Sequence, residues 1–115
     1  MRKIEQEMID AIQENRDWSK ANTSVSYNEE TGTSVIRLHG NKIAEVDDDS
    51  MTIFDGGWRT NTTKSRLNAL CSEFCIGAEG VFQKNFEWFV HKFVGQAGES
   101  MVYNAVPFKN GYVFS

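Results

Sequence analysis

The sequence has little of what most functional signatures require. Its 115 residues include one proline, two cysteines and two histidines, and no apolar run approaches the length of a membrane-spanning helix. Cys71 and Cys75 lack the spacing of a redox CxxC pair and have no second pair to complete a metal site. No GxxxxGK[ST] phosphate loop is present. We therefore predict no catalytic residue, metal or cofactor, and a protein that is not an enzyme.

The net negative charge argues against general binding of a nucleic-acid phosphate backbone. The chain carries 12 Lys and Arg against 16 Asp and Glu residues, for a net charge of −4. General binders of the phosphate backbone are basic on at least one face, so the acidity fits better with a protein that meets a basic partner. Modest acidity is also the ordinary state of cytosolic proteins. Residues 1–15 alternate charged and apolar positions and contain no signal peptide, which predicts a soluble, cytoplasmic protein.

Hydrophobic periodicity predicts a helix followed by short strands. An apolar stripe at helical spacing runs through residues 2–15, with acidic residues outside it. The stripe consists of Ile4, Met8, Ala11 and Ile12, and the acids are Glu5, Glu7, Asp10 and Glu14. Residues 23–57 then change to a period of two, which predicts a four-stranded β-meander with a two-residue turn at Gly40-Asn41.

A second amphipathic helix is the clearest element of the pattern. It is predicted to run from Thr62 or Thr63 to Cys75, with one of these threonines as its N-cap and Gly77 ending it. Its apolar face consists of Leu67, Leu70, Cys71, Phe74 and Cys75. The spacing places both cysteines on that face, where we interpret them as small apolar side chains.

The C-terminal part of the chain reads as strands. Residues 81–94 form a strand bent into a hairpin at Lys84-Asn85, and residues 96–100 form a loop. Residues 101–108 and 112–114 are predicted to form a hairpin through Asn110-Gly111. We predict one α+β domain over residues 1–115, with the second helix packed on one face of an antiparallel sheet. Its segments are residues 1–20 (helix and connector), 23–57 (meander), 60–76 (central helix) and 80–115 (C-terminal strands).

The start of the second helix is a candidate anion site. A turn at Asp55-Gly56-Gly57 leads through Trp58 into a helix start rich in cations and hydroxyls rather than acids. Unpaired backbone N–H groups at a helix start attract phosphate or carboxylate, and cations there are unfavourable without a negative partner. The candidate anion-binding residues are Arg59, Thr62, Thr63, Lys64 and Arg66. In the structural alternative, Trp58 fills the core, threonines cap the helix and the cations pair with surface acids.

Two further features indicate contact with a partner. Glu45, Asp47, Asp48 and Asp49 make an acidic turn suited to a basic surface, while the cation-binding pattern of an EF-hand is absent. Aromatic residues are also more numerous than one small sheet face needs, so they either pack in the core or form an interface, where aromatic side chains concentrate. They are Trp18, Phe86, Trp88, Phe89, Tyr103, Tyr112 and Phe114. Together with the narrow apolar stripe of the first helix, this surplus favours self-association.

Several segments together resemble a known group of proteins. They are Leu38 to Ala44, Gly57 to Asn68 (followed by Ala69-Leu70), Val81 to Lys84 with Trp88 to Val90, and Val106 to Gly111. The chain resembles small accessory proteins carried by tailed bacteriophages and their prophages, over about residues 23–114 and without the first helix. The resemblance supplies no catalytic residue. It implies a location in the cytoplasm of a bacterial host, and small acidic phage proteins of this kind often inhibit host machinery.

The leading hypothesis is a non-enzymatic phage accessory protein that inhibits a host or bacterial immune component by direct binding. An anti-CRISPR protein is the specific form of this hypothesis, with either the acidic turn or the acidic first helix directed at a basic nucleic-acid channel. The alternative is a module that binds a phosphate ligand, either nucleic acid or a signalling nucleotide, through the cationic helix start at residues 59–66.

Overall fold

The fold is α+β, with two helices, a six-stranded and a three-stranded antiparallel sheet. The computed structural model describes all residues from 1 to 115. In chain order the elements are α1 (Lys3–Gln13), β1 (Trp18–Lys20), β2 (Thr23–Asn28), β3 (Thr33–Leu38), β4 (Asn41–Val46), β5 (Met51–Ile53), α2 (Asn61–Phe74), β6 (Gly80–Lys84), β7 (Glu87–Ala97), β8 (Ser100–Pro107) and β9 (Tyr112–Phe114). The large sheet has the order β1-β2-β3-β4-β5-β9 and the small sheet the order β6-β7-β8.

One hydrophobic core holds both sheets and both helices together. The large sheet buries one face, because alternate residues of its strands point toward the helices. From the small sheet, Val81, Trp88 and Val90 enter the same core. Ile36, Ile43, Leu67 and Leu70 are among its completely buried side chains. Apolar burial on this scale is the main term that stabilises such a fold.

The first helix packs one face against β2 and α2. Met8, Ala11 and Ile12 of the predicted stripe are buried on this face, whereas Ile4 is half-buried and Ile9, which was not predicted, is buried. The prediction that Glu5 lies outside the buried face is wrong, because only 3% of its surface is exposed. Neither helix combines the length and the apolar character needed to cross a membrane.

The meander and the central helix are confirmed with small changes at their ends. The turn between β3 and β4 is His39-Gly40 rather than Gly40-Asn41, and both residues have positive φ (52° and 79°). Positive φ at both central residues is the geometry of a type I′ hairpin turn. The N-cap of α2 is Thr60, not Thr62 or Thr63, since its side chain accepts a hydrogen bond from the Thr63 N–H.

The C-terminal strands differ most from prediction. The expected hairpin of residues 101–108 with 112–114 does not form, because β8 pairs with β7 in the small sheet whereas β9 pairs with β5 in the large one. The connection crosses between the sheets, and Phe108 is buried in the core on the way. Residues 96–100, expected as a loop, instead carry β7 and β8 almost to the hairpin tip at Gly98-Glu99.

Candidate binding surfaces

The turn before α2 is fixed by its own polar side chains. Asp55 accepts the N–H of Gly57 at 2.8 Å and receives Arg59 Nε at 3.2 Å. Gly56 has φ of +70°, and an added Cβ would lie 3.1 Å from Ile43 Cγ2. The chain therefore turns sharply beside β4 and presents Thr60 as the helix cap. The hydroxyl of Thr63 donates to the Trp58 carbonyl and closes the turn.

Arg66 is a structural residue rather than a ligand-binding one. Its side chain is 4% exposed, and its Nη1 lies 2.8 Å from Oε2 of Glu5, whose side chain is 3% exposed. Arg66 Nε also donates to Thr23 Oγ1 at 3.0 Å, so one guanidinium connects α2 to both α1 and β2. Burial raises the pKa of Glu5, but hydrogen bonds from Ser65 and Arg66 outweigh it, and the pKa is lowered overall. The candidate anion site thereby loses Arg66.

The other two cations of the candidate anion site are occupied by neighbouring groups. Arg59 pairs with Asp55 and lies over the rings of Phe108 and Trp88, at 5.2 and 5.8 Å from their centroids. Lys64 Nζ donates to Gln83 Oε1 at 2.8 Å. Cation–π contacts and a carboxylate partner already complement these charges. Arg59 and Lys64 both lie over the Trp88 ring, at 5.8 and 5.9 Å from its centroid, so the structure separates only Arg66 from the cations of the candidate site.

The hydroxyls of the candidate anion site line a depression without a cation. Thr62 and Thr63 line a cavity of about 210 Å³ with Trp58 and Asp55, but no Lys or Arg contributes to it. The Asp55 carboxylate in the lining is negative, so it would repel a phosphate in this cavity. The interpretation that Trp58 fills the core is also wrong, since 73% of its surface is exposed. The core position belongs to Trp88, which is 2% exposed.

The acidic turn is shaped by one of its own carboxylates. Asp47 Oδ1 accepts the backbone N–H groups of Asp49 and Ser50, each at 2.8 Å. The hydrogen bonds from Asp49 and Ser50 lower the pKa of Asp47, which stays ionised well into the acid range. Asp48 and Asp49 are exposed at the tip. Glu45 does not join them, because it pairs with Lys42 at 2.8 Å and lies outside the depression beside the turn.

That depression, here called the acidic groove, runs between the turn and the end of α2. It has a volume of about 180 Å³ and no Lys or Arg in its lining. Its carboxylates are those of Asp47, Asp48, Asp49 and Glu79. Apolar side chains form the floor, among them Phe74, Phe114 and the 46% exposed Ile76. The groove therefore combines negative charge with an accessible apolar surface.

The outer side of the small sheet carries a continuous row of rings, here called the aromatic face. It consists of Phe82, Phe89, His91, Phe93 and Tyr103, all half-buried. Phe82 stacks on Phe89 at 5.5 Å between ring centroids, and His91 stacks on Tyr103 at 4.6 Å. Edge contacts join Phe82 to His91 and Phe93 to Tyr103. Alternation along β7 explains the arrangement, since Trp88 and Val90 point the opposite way into the core.

A short loop joins the acidic groove to the aromatic face. The Ala78 N–H donates to the Tyr103 hydroxyl at 3.1 Å, and His91 Nδ1 lies 3.0 Å from the Ala78 carbonyl. A carbonyl only accepts, so Nδ1 of His91 carries a proton and donates. Glu79 lines the acidic groove and also a cavity of about 430 Å³ beside Phe82 and His91. The two surfaces are therefore adjacent.

The structure does not bring Cys71 and His91 together as a nucleophile and its base. Cys71 is completely buried on the core side of α2, whereas His91 lies on the aromatic face. The hydrogen bond with Cys75 and burial raise the pKa of the Cys71 thiol, which stays protonated at neutral pH. No three His, Cys, Asp or Glu side chains are grouped in a way that could hold a metal ion.

Comparison with known proteins gives one match. The family model described as Kyanoviridae Gp96 protein matches residues 1–115. The chain belongs to the Kyanoviridae Gp96 protein family. No curated protein and no solved structure matches the chain.

Membership in the Kyanoviridae Gp96 family confirms the phage origin that the sequence resemblance implied. The match also corrects the extent of that resemblance, because it includes α1, which the resemblance left out. This agrees with the packing, in which Glu5 of α1 is the buried partner of Arg66 on α2. The first helix is thus part of the fold, since its buried residues belong to the same core as α2 and its Glu5 pairs with Arg66.

The sequence suggested an acidic turn and a surplus of aromatic residues that includes Phe89 and Tyr103, but not that these rings form one face with Phe82, His91 and Phe93. The sequence does indicate part of this face, because Phe89, His91 and Phe93 are alternate residues of β7 and therefore lie on the same side of the strand. Periodicity showed that both faces of this strand carry apolar residues. It could not show which face the rest of this Gp96 family member covers, because that depends on how the small sheet packs on α2.

Proposed function

We propose that this phage protein acts without catalysis, by binding and inhibiting a host or bacterial immune component, and that it is an anti-CRISPR protein. The observation that carries the proposal is the adjacency of the acidic groove and the aromatic face across the loop at Ala78-Glu79. Stable interfaces combine a central cluster of aromatic anchors with a polar, charged rim. The aromatic face supplies such anchors, and Asp48 and Asp49 supply a negative rim.

The charge of this surface selects the kind of partner. With four carboxylates lining the groove and no cation among them, the surface attracts a protein face rich in Lys and Arg. Immune complexes that hold nucleic acid expose such faces in their binding channels. An inhibitor that occupies the channel would exclude the nucleic acid. The phosphate-binding alternative has less support, because Arg66 is buried in an ion pair and Arg59 and Lys64 already have partners.

Co-purification with a panel of CRISPR–Cas complexes tests the proposal. We expect the protein to capture one complex and to restore phage growth on a host immunised by it. The variant Asp48→Lys/Asp49→Lys should weaken capture by about tenfold or more at low salt, with the difference shrinking as salt increases. The control is Glu29→Lys/Glu30→Lys, which makes the same charge change in the exposed loop between β2 and β3. Absence of any complex together with no effect on phage growth would contradict the proposal.

Phe86, which belongs to neither the acidic groove nor the aromatic face, is a further candidate contact with the proposed partner. It is 95% exposed at the tip of the β6–β7 hairpin with φ of +65°, a conformation that a bulky side chain adopts at a cost and that glycine adopts freely. We expect Phe86→Gly to stabilise the free protein by about 0.5–1 kcal/mol, measured by chemical unfolding. If Phe86 is kept for binding, the same variant captures less partner. Stabilisation with unchanged capture would remove Phe86 from the binding surface.

A further inference from the structure

The four edges of the two sheets are not equivalent. β1 and β9, the edges of the large sheet, offer three residues each. β6 is covered where the Asn68 side chain bonds both the N–H and the carbonyl of Val81, each at 2.8 Å. β8 is eight residues long and pairs with a strand on one side only, where its neighbour is β7. It is therefore the long open edge of the molecule.

β8 also lacks the features that protect open edges. Its sequence from Ser100 to Pro107 contains no charged residue, and its one proline stands at the last position. Natural sheets discourage pairing at an edge with lysine, proline, bulges or short strands. The bulge of this hairpin lies in β7, between Phe93 and Gly95, so it does not interrupt the β8 edge. The outward N–H and carbonyl groups of β8 form an uninterrupted template for another strand.

The outer half of the β7–β8 hairpin has too few strands to be stable alone. The pairing of β6 with β7 ends at Gly80 and His91, so beyond His91 the sheet is a two-stranded ribbon. On its β7 side, the carboxylate of Glu79 accepts the Phe93 N–H at 2.9 Å. On its β8 side, Met101 and Val102 are 46% and 39% exposed. Two-stranded ribbons are marginally stable in water, and the open side for a further strand is β8.

We propose that β8 pairs with β8 of a second copy of this chain, antiparallel across a two-fold axis, to form a continuous six-stranded sheet. A two-fold interface is closed, so it covers both open edges and leaves none. The absence of charge on β8 favours a second copy over a charged peptide, since identical strands meet without like-charge repulsion. The axis of an antiparallel pair is perpendicular to the sheet, so both aromatic faces lie on one side. This inference does not depend on the proposed function.

The experiment measures the mass of the full chain in solution by light scattering across a dilution series. We expect twice the 13.1 kDa of one chain for the natural sequence at high micromolar concentration. The variant Val102→Lys/Asn104→Lys places like charges across the two-fold axis and should have the mass of one chain. The matched control, Val113→Lys, puts a lysine at the middle of the short edge β9, where Val113 is 50% exposed, and should keep the dimer.

Amide hydrogen exchange of the unmodified protein provides a second measurement that needs no variant. An edge paired on both sides protects successive amides of β8, whereas an open edge leaves every second amide unprotected. We expect continuous protection that becomes alternate on dilution. A single-chain mass at all concentrations would overturn the proposal, as would protection that appears only when a different protein is bound.

Discussion

Replacing Arg66 with alanine should destabilise the protein by about 3–5 kcal/mol at neutral pH, because it leaves the Glu5 carboxylate buried without its counter-charge. Most domains of this size are stable by only about 5–15 kcal/mol, so the variant should be close to unfolding at physiological temperature. Urea unfolding monitored by circular dichroism measures the change. A loss smaller than about 1 kcal/mol would show that the pair is solvated.

Two comparisons distinguish a buried pair from a general effect of losing a cation. Arg16→Ala removes an exposed partner of Glu14, with side chains 46% and 59% exposed, and should change stability by less than about 0.5 kcal/mol. Glu5→Leu/Arg66→Leu removes both charges and should recover most of the stability that Arg66→Ala loses. Because leucine also fills the space of the Arg66 stem, Arg66→Leu is the matched single variant, and recovery from Arg66→Leu to the double variant reports the cost of leaving Glu5 without its partner.

The pH dependence follows from the direction of the Glu5 pKa shift. Its pKa is lowered from the ordinary value of 4.5 in the folded protein. A group of this kind contributes stability above its unfolded pKa, and the contribution is lost as pH falls through the folded pKa. In Arg66→Ala, burial without the counter-charge instead favours the protonated acid. The stability difference between the two proteins should therefore be largest near neutral pH and should narrow in acid.

The sequence predicts where the helices and strands lie better than it predicts which strands pair with each other. Helical spacing located α2, and alternation located the meander, because both patterns are local. The pairing of β9 with β5 is not local, since it joins residues 112–114 to residues 51–53. Asn110-Gly111 does form a turn, in which the Tyr112 N–H donates to the Lys109 carbonyl, and the Gly111 N–H donates to the Ile53 carbonyl. The strands on either side of this turn nevertheless pair with different sheets, and Phe108 between them is buried in the core.

The role of Arg66 shows why the candidate anion site could not be read correctly from one segment. Arg66 precedes Leu70 by four residues, which places it on the buried face of α2 rather than on the face of a ligand site. A buried arginine requires an acid, and Glu5 occupies the corresponding buried position on α1. Each charge looked like a surface residue by itself. Only the packing of α1 on α2 shows that Glu5 and Arg66 are buried together as an ion pair.

The two tryptophans that flank the start of α2 should respond very differently to removal. Trp88 is 2% exposed and meets Phe108 edge to face at 5.4 Å between centroids, so Trp88→Ala leaves a large cavity in the core. We expect a loss of about 3–5 kcal/mol in chemical unfolding. Trp58→Ala, which removes a 73% exposed side chain, should stay within about 0.5 kcal/mol of the unmodified protein.

Fluorescence quenching by iodide reports on the same contrast without unfolding the protein. Because the half-buried Trp18 also fluoresces, the contribution of each residue is the difference in quenching between the unmodified protein and its alanine variant. The contribution of Trp58 should be quenched readily and that of Trp88 hardly at all, because iodide does not enter the core. A large loss of stability in Trp58→Ala would restore the interpretation in which this residue belongs to the fold. A small loss of stability would mean that Trp58 is exposed and has no structural role. Exposed tryptophans of that kind are common anchors of protein interfaces. Partner capture by Trp58→Ala then decides whether the binding surface extends from the aromatic face to the turn before α2.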